Sequence, residues 1–464
     1  MNPFLNPVFA VHILKRYLTD VNRAWRASPA QLKRYQNKAL RQTLKYAQMV
    51  PLYQKKFQEK GIRPDKIREI DELSKLPLTT KADLINAFQD QQVPPGYAKE
   101  QAYIVGTSGS SGQPMYMFKD IEYIVVEALA AIRQLKAYGM SWRKTRITNI
   151  GDFSVPGTTD EESLKKGLMG NLSLFFSLKN YQHLYTGLAP RILIKKIDNF
   201  SPELIIGYTS VLMGLAALKN NGYGKNIKPQ IIISSGEVLD NYSRKYIHEA
   251  FDVPICNLYA TTEGGSIAFE CLNKEFHINS DFVHVEVLDK HGENVEPGEF
   301  GNLVITRLFR GGTPILRYTG LDDIGIRSDE EGMCGMHTPL LKSLEGRKKD
   351  AIVLPDGKIF PPATFPMPLA DAAAEFKTLK IERFQFEQRR LDDIIIRVKF
   401  VGGSKQKLVE QLIDAIKEKY KNLVGDQVDI TVESVDDIKM PTKSASAPLI
   451  ISHIDFKQIQ EALL

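Results

Sequence analysis

Small hydroxyl residues and glycines crowd the stretch Thr107-Ser108-Gly109-Ser110-Ser111-Gly112. Glycine lets a backbone approach a phosphate closely, and hydroxyls and amide N–H groups can then line it. No Gly-Lys-Ser/Thr follows, so this is not a Walker loop. A plain surface turn fits the same residues, and the loop gains weight from what lies downstream. Ser234-Ser-Gly236-Glu237 ends one apolar run, and Asn257-Leu-Tyr259-Ala-Thr-Thr262-Glu263 ends another. Arg317-Tyr-Thr-Gly-Leu-Asp322 follows Pro314, and Gly346-Arg347-Lys-Lys349-Asp350 marks a change of composition. Each of these also reads, alone, as an ordinary loop with solvated charges.

A second set is metal-binding in type. Cys271 and His277 stand six residues apart, and Cys334 and His337 follow in Cys-Gly-Met-His. Thiolates and imidazoles are zinc ligands, and two of each close a tetrahedral site. The competing reading is a set of buried free cysteines.

The elements that must position these residues fall into three textures. Residues 1–90 read as helical: Leu32, Tyr35, Ala39, Leu40, Thr43, Leu44 and Ala47 recur at helical spacing until Pro51. Thr79-Thr80-Lys-Ala-Asp83 reads as a capped helix start. From residue 100 to 340 short apolar runs alternate with helical patterns. The runs are Ala102–Val105, Arg146–Ile150, Leu204–Gly207, Ile231–Ser234 and Val253–Cys256. That alternation predicts an α/β fold with largely parallel strands and ligands at their C-terminal ends. After Glu270 strands and hairpins dominate, giving a β-rich subdomain. Residues 350–464 form a small α+β unit of their own: strand 394–400, helix 405–420, strand 428–432.

The bulk numbers bound the function. A chain of 464 residues calls for two or three domains. A net charge of +6, with no dense Lys/Arg tract, gives no case for nucleic acid. The apolar stretch Pro7–Val11 is too short to span a membrane. Three cysteines make no disulfide framework and place the chain in a reducing cytoplasm by default.

In this order and at these intervals, the polar segments resemble the adenylate-forming (AMP-binding) superfamily, which activates carboxylates with ATP. More narrowly, they resemble the phenylacetate–coenzyme A ligase branch and its capsule-biosynthesis relatives. Tyr46-Ala…Val50-Pro-Leu-Tyr53 and Leu76-Pro-Leu-Thr-Thr-Lys81 match that branch too. The resemblance implies a large N-terminal domain, 1–348, and a small mobile C-terminal domain, 349–464, with nucleotide in the cleft between. It implies that a small-molecule carboxylic acid attacks the α-phosphate of ATP, pyrophosphate leaves, and the acyl-adenylate passes to a thiol, with coenzyme A the expected acceptor. Such chemistry rests on positioning and charge stabilisation. By resemblance, Thr107, Ser108, Gly109, Ser110, Ser111 and Gly112 embrace the β- and γ-phosphates. Gly236 and Glu237 flank the adenine, Tyr259 stacks on it, and Asp322 accepts from the ribose hydroxyls. Thr262 touches the α-phosphate, Glu263 holds Mg²⁺, Arg347 approaches the nucleotide, and Lys349 is the hinge. Tyr208 and Phe153 are acyl-pocket or core aromatics. Some relatives carry a Cys/His cluster near Cys271, His277, Cys334 and His337, which would hold a structural Zn²⁺. A monomer or homodimer is expected.

The sequence departs from the pattern twice. The loop ends Pro114-Met115 where the wider superfamily has Pro-Lys. Near the C-terminus Ser446 stands where the family has a catalytic lysine; losing such an electrostatic contact costs about 2.7–4 kcal/mol. Lys443 is the nearby replacement, with Lys439 behind it. Two alternatives follow: transfer to a non-coenzyme A acceptor, as in capsule- or deazaflavin-modifying relatives, or a nucleotide-binding chain with degenerate catalysis.

Overall fold

The computed structural model describes residues 7–107, 114–151, 178–438 and 448–454. These fall into two compact units, one of residues 1–142 with 258–343 and the other of 143–257 with 344–464.

In the first unit, helix Pro29–Ala47 carries the predicted apolar stripe inward and starts from a Ser28 capping box. Gln36 is buried where Tyr35 was expected, and it donates to the Ser280 carbonyl at 2.8 Å. Pro51 does not end this helix, which stops at Ala47. It takes the first position of the next helix, Pro51–Glu59, where its missing N–H costs no bond. Thr80 caps Lys81–Ala87 through a reciprocal pair with Asp83, as its sequence predicts. Strands Tyr103–Gly106 and Tyr116–Lys119 pair antiparallel around the loop that opened the sequence reading. Asp120 then caps helix Ile121–Ala137 by accepting from the Glu122 and Tyr123 N–H groups.

Strand Ile255–Thr261 begins two residues later than its apolar run suggested and continues through Tyr259. It turns at Thr262–Gly264 into the antiparallel strand Gly265–Glu270, and Phe276–Ile278 adds to that strand's other edge. Val283–Leu288, Phe300–Arg307 and Asp323–Arg327 form the expected β-rich part.

The second unit holds four parallel strands in the order Tyr181–Tyr185, Ile147–Gly151, Leu204–Gly207, Ile231–Ser235. Ile231 to Ser234 are all buried, as a strand covered on both faces requires. Residues 344–464 add a four-stranded sheet. Its central antiparallel pair, Ile381–Arg390 and Asp393–Phe400, is flanked by the parallel strands Ile450–Ser452 and Asp429–Ser434. Helix Gln406–Val424 covers this sheet, and one apolar core runs from Ile150 and Ile205 to Phe386 and Tyr420. Tyr242 Oη donates to the Ile381 carbonyl at 2.6 Å inside that core. The chain is α/β, as the alternation predicts. Among the described residues, no helix is long and apolar enough to cross a membrane.

Candidate functional site

The first unit gathers Thr107, Tyr259, Thr262, Glu263 and Asp322. Thr107 closes the neck of its loop: its N–H donates to the Met115 carbonyl at 2.9 Å, and its Oγ1 accepts from the Met115 N–H at 3.2 Å. Ser108 to Gly112 lie outside the described residues.

Thr262 and Glu263 form the tip of the hairpin between Ile255–Thr261 and Gly265–Glu270. The tip is fixed from several sides. Gly264 N–H donates to Thr261 Oγ1 at 2.9 Å, and Ser266 N–H donates to Glu127 Oε1 at 3.1 Å. Tyr123 Oη reaches the Thr262 carbonyl at 3.5 Å. Gly265 has φ +72°, and a Cβ there would lie 2.0 Å from Glu127 Oε1, so only glycine fits. Glu263 is 7% exposed, and Tyr318 Oη donates to its Oε1 at 3.1 Å. Burial pushes the Glu263 carboxyl up, against the pull of Tyr318, Lys119 and Lys81. A hard carboxylate oxygen, held by Tyr318 within reach of Met115 at the loop's neck, fits a magnesium ion.

Tyr318 belongs to the Arg317–Asp322 segment, so two of the sequence motifs meet at one bond. Asp322 takes a left-handed backbone, φ +56°, which aspartate tolerates. Its neighbour Asp323 accepts from Tyr259 Oη at 2.7 Å. Thus Tyr259 is 5% exposed, and its hydroxyl is tied to the residue that follows Asp322. The sequence reading missed Tyr318 and Asp323. They adjoin residues it singled out, but only the strand pairing shows what they touch.

The second unit gathers Gly236, Glu237 and Arg347. Gly236 has φ +80°, and a Cβ there would meet the Tyr208 ring at 2.6 Å. Glu237 accepts from Ser210 N–H at 2.7 Å and Ser210 Oγ at 3.0 Å, at the start of helix Thr209–Asn220. Gly346, φ +95°, packs against Val238, so Arg347 follows directly on the contact with the 236–238 segment. Arg347 ends strand Leu340–Arg347, and Lys349 lies in the short 3₁₀ turn Lys348–Asp350. Burial raises the Asp350 carboxyl, and Lys349 and Arg347 offset it. Phe153, Lys439, Lys443 and Ser446 lie outside the described residues.

The metal-type residues sort differently from their spacing. Cys271, His277 and Cys334 converge, but the fourth donor is Glu275, with one donor atom from each within 4.8 Å of the others. Cys334 Sγ is 3.0 Å from His277 Nε2, which is 3.3 Å from Glu275 Oε2; Cys271 Sγ is 3.7 Å from the same oxygen. His277 Nδ1 meets Thr338 Oγ1 at 3.1 Å, which fixes the ring. Burial lowers the His277 pKa and pushes the Cys334 thiol up to about 12. Two sulfurs, an imidazole and a carboxylate at these separations suit tetrahedral zinc, which would itself draw the thiols into thiolates. His337 is not in the group. Its backbone N–H donates to the Ala24 carbonyl at 2.7 Å, and the residue lines a separate cavity of about 290 Å³ with His284 and Ser280. Glu275 was missed because a lone glutamate in a turn carries no spacing signal.

No family model matches the chain. It is similar to the phenylacetate–coenzyme A ligase of Escherichia coli (strain K12), 24% identical over 88% of this chain and 92% of that protein. The enzyme of the same name from Thermus thermophilus is 26% identical over 71% of this chain and 73% of its own. Protein CapK of Staphylococcus aureus is 27% identical over 44% of this chain and 43% of its own. Among solved structures, 2-hydroxyisobutyryl-CoA ligase in a postadenylation state matches with a TM-score of 0.75 and 18% identity, covering 95% of this chain and 94% of that one.

Proposed function

Since the chain belongs to the adenylate-forming superfamily, on the branch of phenylacetate–coenzyme A ligases and CapK, we propose that it joins a carboxylic acid to AMP and passes the acyl group to coenzyme A. The carboxylate oxygen attacks the α-phosphorus of ATP, the bond to the bridging oxygen breaks, and pyrophosphate leaves. The coenzyme A thiol then displaces AMP from the acyl-adenylate. The observation that carries this reading is the Glu263–Tyr318 bond. It draws together the Thr262-Glu263 tip and the Arg317–Asp322 segment beside the Thr107–Met115 neck.

In this reading Thr107 and the loop after it hold the terminal phosphates. Thr262 faces the α-phosphate, Glu263 holds Mg²⁺, and Asp322 takes the ribose. For Gly236 and Glu237 toward the base, and for Arg347 toward the nucleotide, the reading rests on the sequence motifs alone. Residues 349–464 form the part that moves, with Lys349 as hinge, and Lys443 serves in place of the lysine that Ser446 replaces. Cys271, Glu275, His277 and Cys334 hold a structural zinc that ties the 332–338 loop to strand Phe276–Ile278. The cytoplasm is the compartment where ATP, coenzyme A and free thiols coexist.

The test is pyrophosphate release from MgATP across aryl, fatty and sugar-linked acids, with and without coenzyme A. Acid-dependent release that rises with coenzyme A supports the ligase. Acid-dependent release indifferent to coenzyme A moves the acceptor to an amine or alcohol. ATP binding without release for any acid points to degenerate catalysis.

A further inference from the structure

Side chains alternate along a strand, so Met115, Met117 and Lys119 share one face of the segment ending in Tyr116–Lys119. Both methionines are fully buried, and Met115 Sδ lies 3.6 Å from the Tyr318 hydroxyl that holds Glu263. Lys119 ends this row. Its ammonium sits 3.8 Å from the centre of the Tyr123 ring, and it makes no hydrogen bond or ion pair with any described residue. The charged groups around it are Glu127, Arg307 and Glu263. Glu127 already accepts from Ser266 N–H. Arg307 is fully buried and donates through Nη2 to the Thr313 carbonyl; its Nε and Nη1 have no partner among the described residues.

An ammonium carries three donors, and one removed from water without an oxygen to receive them is unfavourable unless a ligand completes the site. The ring of Tyr123 holds the charge by its quadrupole but accepts no strong bond. Burial accordingly lowers the lysine's pKa, and Glu127 opposes this. The Thr107–Met115 loop contains no lysine or arginine of its own. Lys119 therefore stands as a cation with no hydrogen-bond or ion-pair partner among the described residues, four residues past Met115 at the loop's neck and within electrostatic reach of Glu263, the carboxylate expected to hold magnesium.

We infer that Lys119 is a phosphate-binding residue whose ammonium meets the β- or γ-phosphate oxygens of a nucleotide seated at the Thr262-Glu263 tip. The inference rests on the ATP reading above. The competing role is structural: a charge that only neutralises Glu127.

Binding of MgATP and of AMP to the full chain, measured by calorimetry, separates the two. Lys119→Met weakens MgATP about tenfold or more, the worth of a bond to a charged group. It leaves AMP, which lacks the β- and γ-phosphates, within about twofold. Lys119→Arg restores part of the loss. Should Lys119→Met fail to fold, Lys119→Met/Glu127→Gln removes both buried charges together and is held to the same comparison. Unchanged MgATP affinity overturns the inference and leaves the ATP reading standing, as does an equal loss for ATP and AMP. A wild-type chain that binds neither nucleotide overturns both.

Discussion

Replacing Asp281 with alanine removes the anion on which two arginines of the first unit converge. Asp281 is 1% exposed and accepts from Arg133 Nη1 and Nη2 at 2.7 Å each and from Arg23 Nη1 at 2.7 Å. Arg133 is equally buried; its remaining bonds go to Asn279 Oδ1 at 3.0 Å and the Asp20 carbonyl at 2.6 Å. Without Asp281 a buried guanidinium keeps its charge and loses its counterion, which costs about 3–5 kcal/mol. For a unit of this size that is a fall of roughly 6–20 °C in its unfolding midpoint. Burial alone would raise the Asp281 carboxyl, but Arg133 and Arg23 overcome it and hold the folded pKa below its ordinary value. A depressed folded pKa means the contribution is complete above the unfolded pKa near 4 and fades as pH falls through the folded value. The difference between wild type and Asp281→Ala, read by urea denaturation, should therefore be constant from pH 6 to 8 and shrink in acid. A loss below about 1 kcal/mol at pH 7 would refute the reasoning. So would a difference that grows in acid.

Gly265→Ala forces a side chain against Glu127 at φ +72°. It should destabilise by about 1–3 kcal/mol and lower the rate of pyrophosphate release, checked by thermal melt and steady-state kinetics. Asp322→Ala should raise the KM for ATP about tenfold with little change in kcat, since on the proposed reading it removes a ground-state ribose contact. Purified protein should contain zinc at one per chain, and Cys334→Ser should not; metal analysis of both decides it. Chelation should then lower the stability in a zinc-dependent way, by about 2.7 kcal/mol relative to zinc at a hundred times its dissociation constant.

The elements were legible where a period or a cap wrote them locally. The 29–47 stripe, the Thr80–Asp83 box and the runs of isoleucine in 204–207 and 231–234 all became the predicted elements. Boundaries failed where a residue has two roles, as at Pro51, which can stop a helix or start one. The strand at 255–261 outran its apolar run because Tyr259 is polar only at its tip, and its hydroxyl finds Asp323. In the candidate site, the loop neck and the Thr262-Glu263 tip were visible as clusters of special residue types. Glu275, Asp323, Tyr318 and Lys119 were not, because their types and spacing carry no signal until the fold sets them against Cys334, Tyr259, Glu263 and the Tyr123 ring. His337 was expected at the metal group on spacing, and the geometry puts Glu275 there instead.

One helix explains why the hairpin tip can be both rigid and charged. Helix Ile121–Ala137 sends Tyr123 and Glu127 to the tip and Arg133 to Asn279 and Asp281, just past the last strand of the same meander. The tip is thus gripped at Thr262 and Ser266, and the strand that pairs with its return leg is pinned a few residues on. Removing a grip at the tip should alter catalysis more than stability, because the tip's backbone keeps its Thr261–Gly264 bond and its strand pairing. Removing the Arg133 anchor should do the reverse, since its hydrogen bonds go to Asn279, Asp281 and the Asp20 carbonyl rather than to the candidate nucleotide residues. On the proposed reading, a carboxylate that is to hold magnesium in a half-dry site needs this division. The charge at Glu263 is disfavoured by its burial, so its position has to be imposed by neighbours that the nucleotide does not disturb.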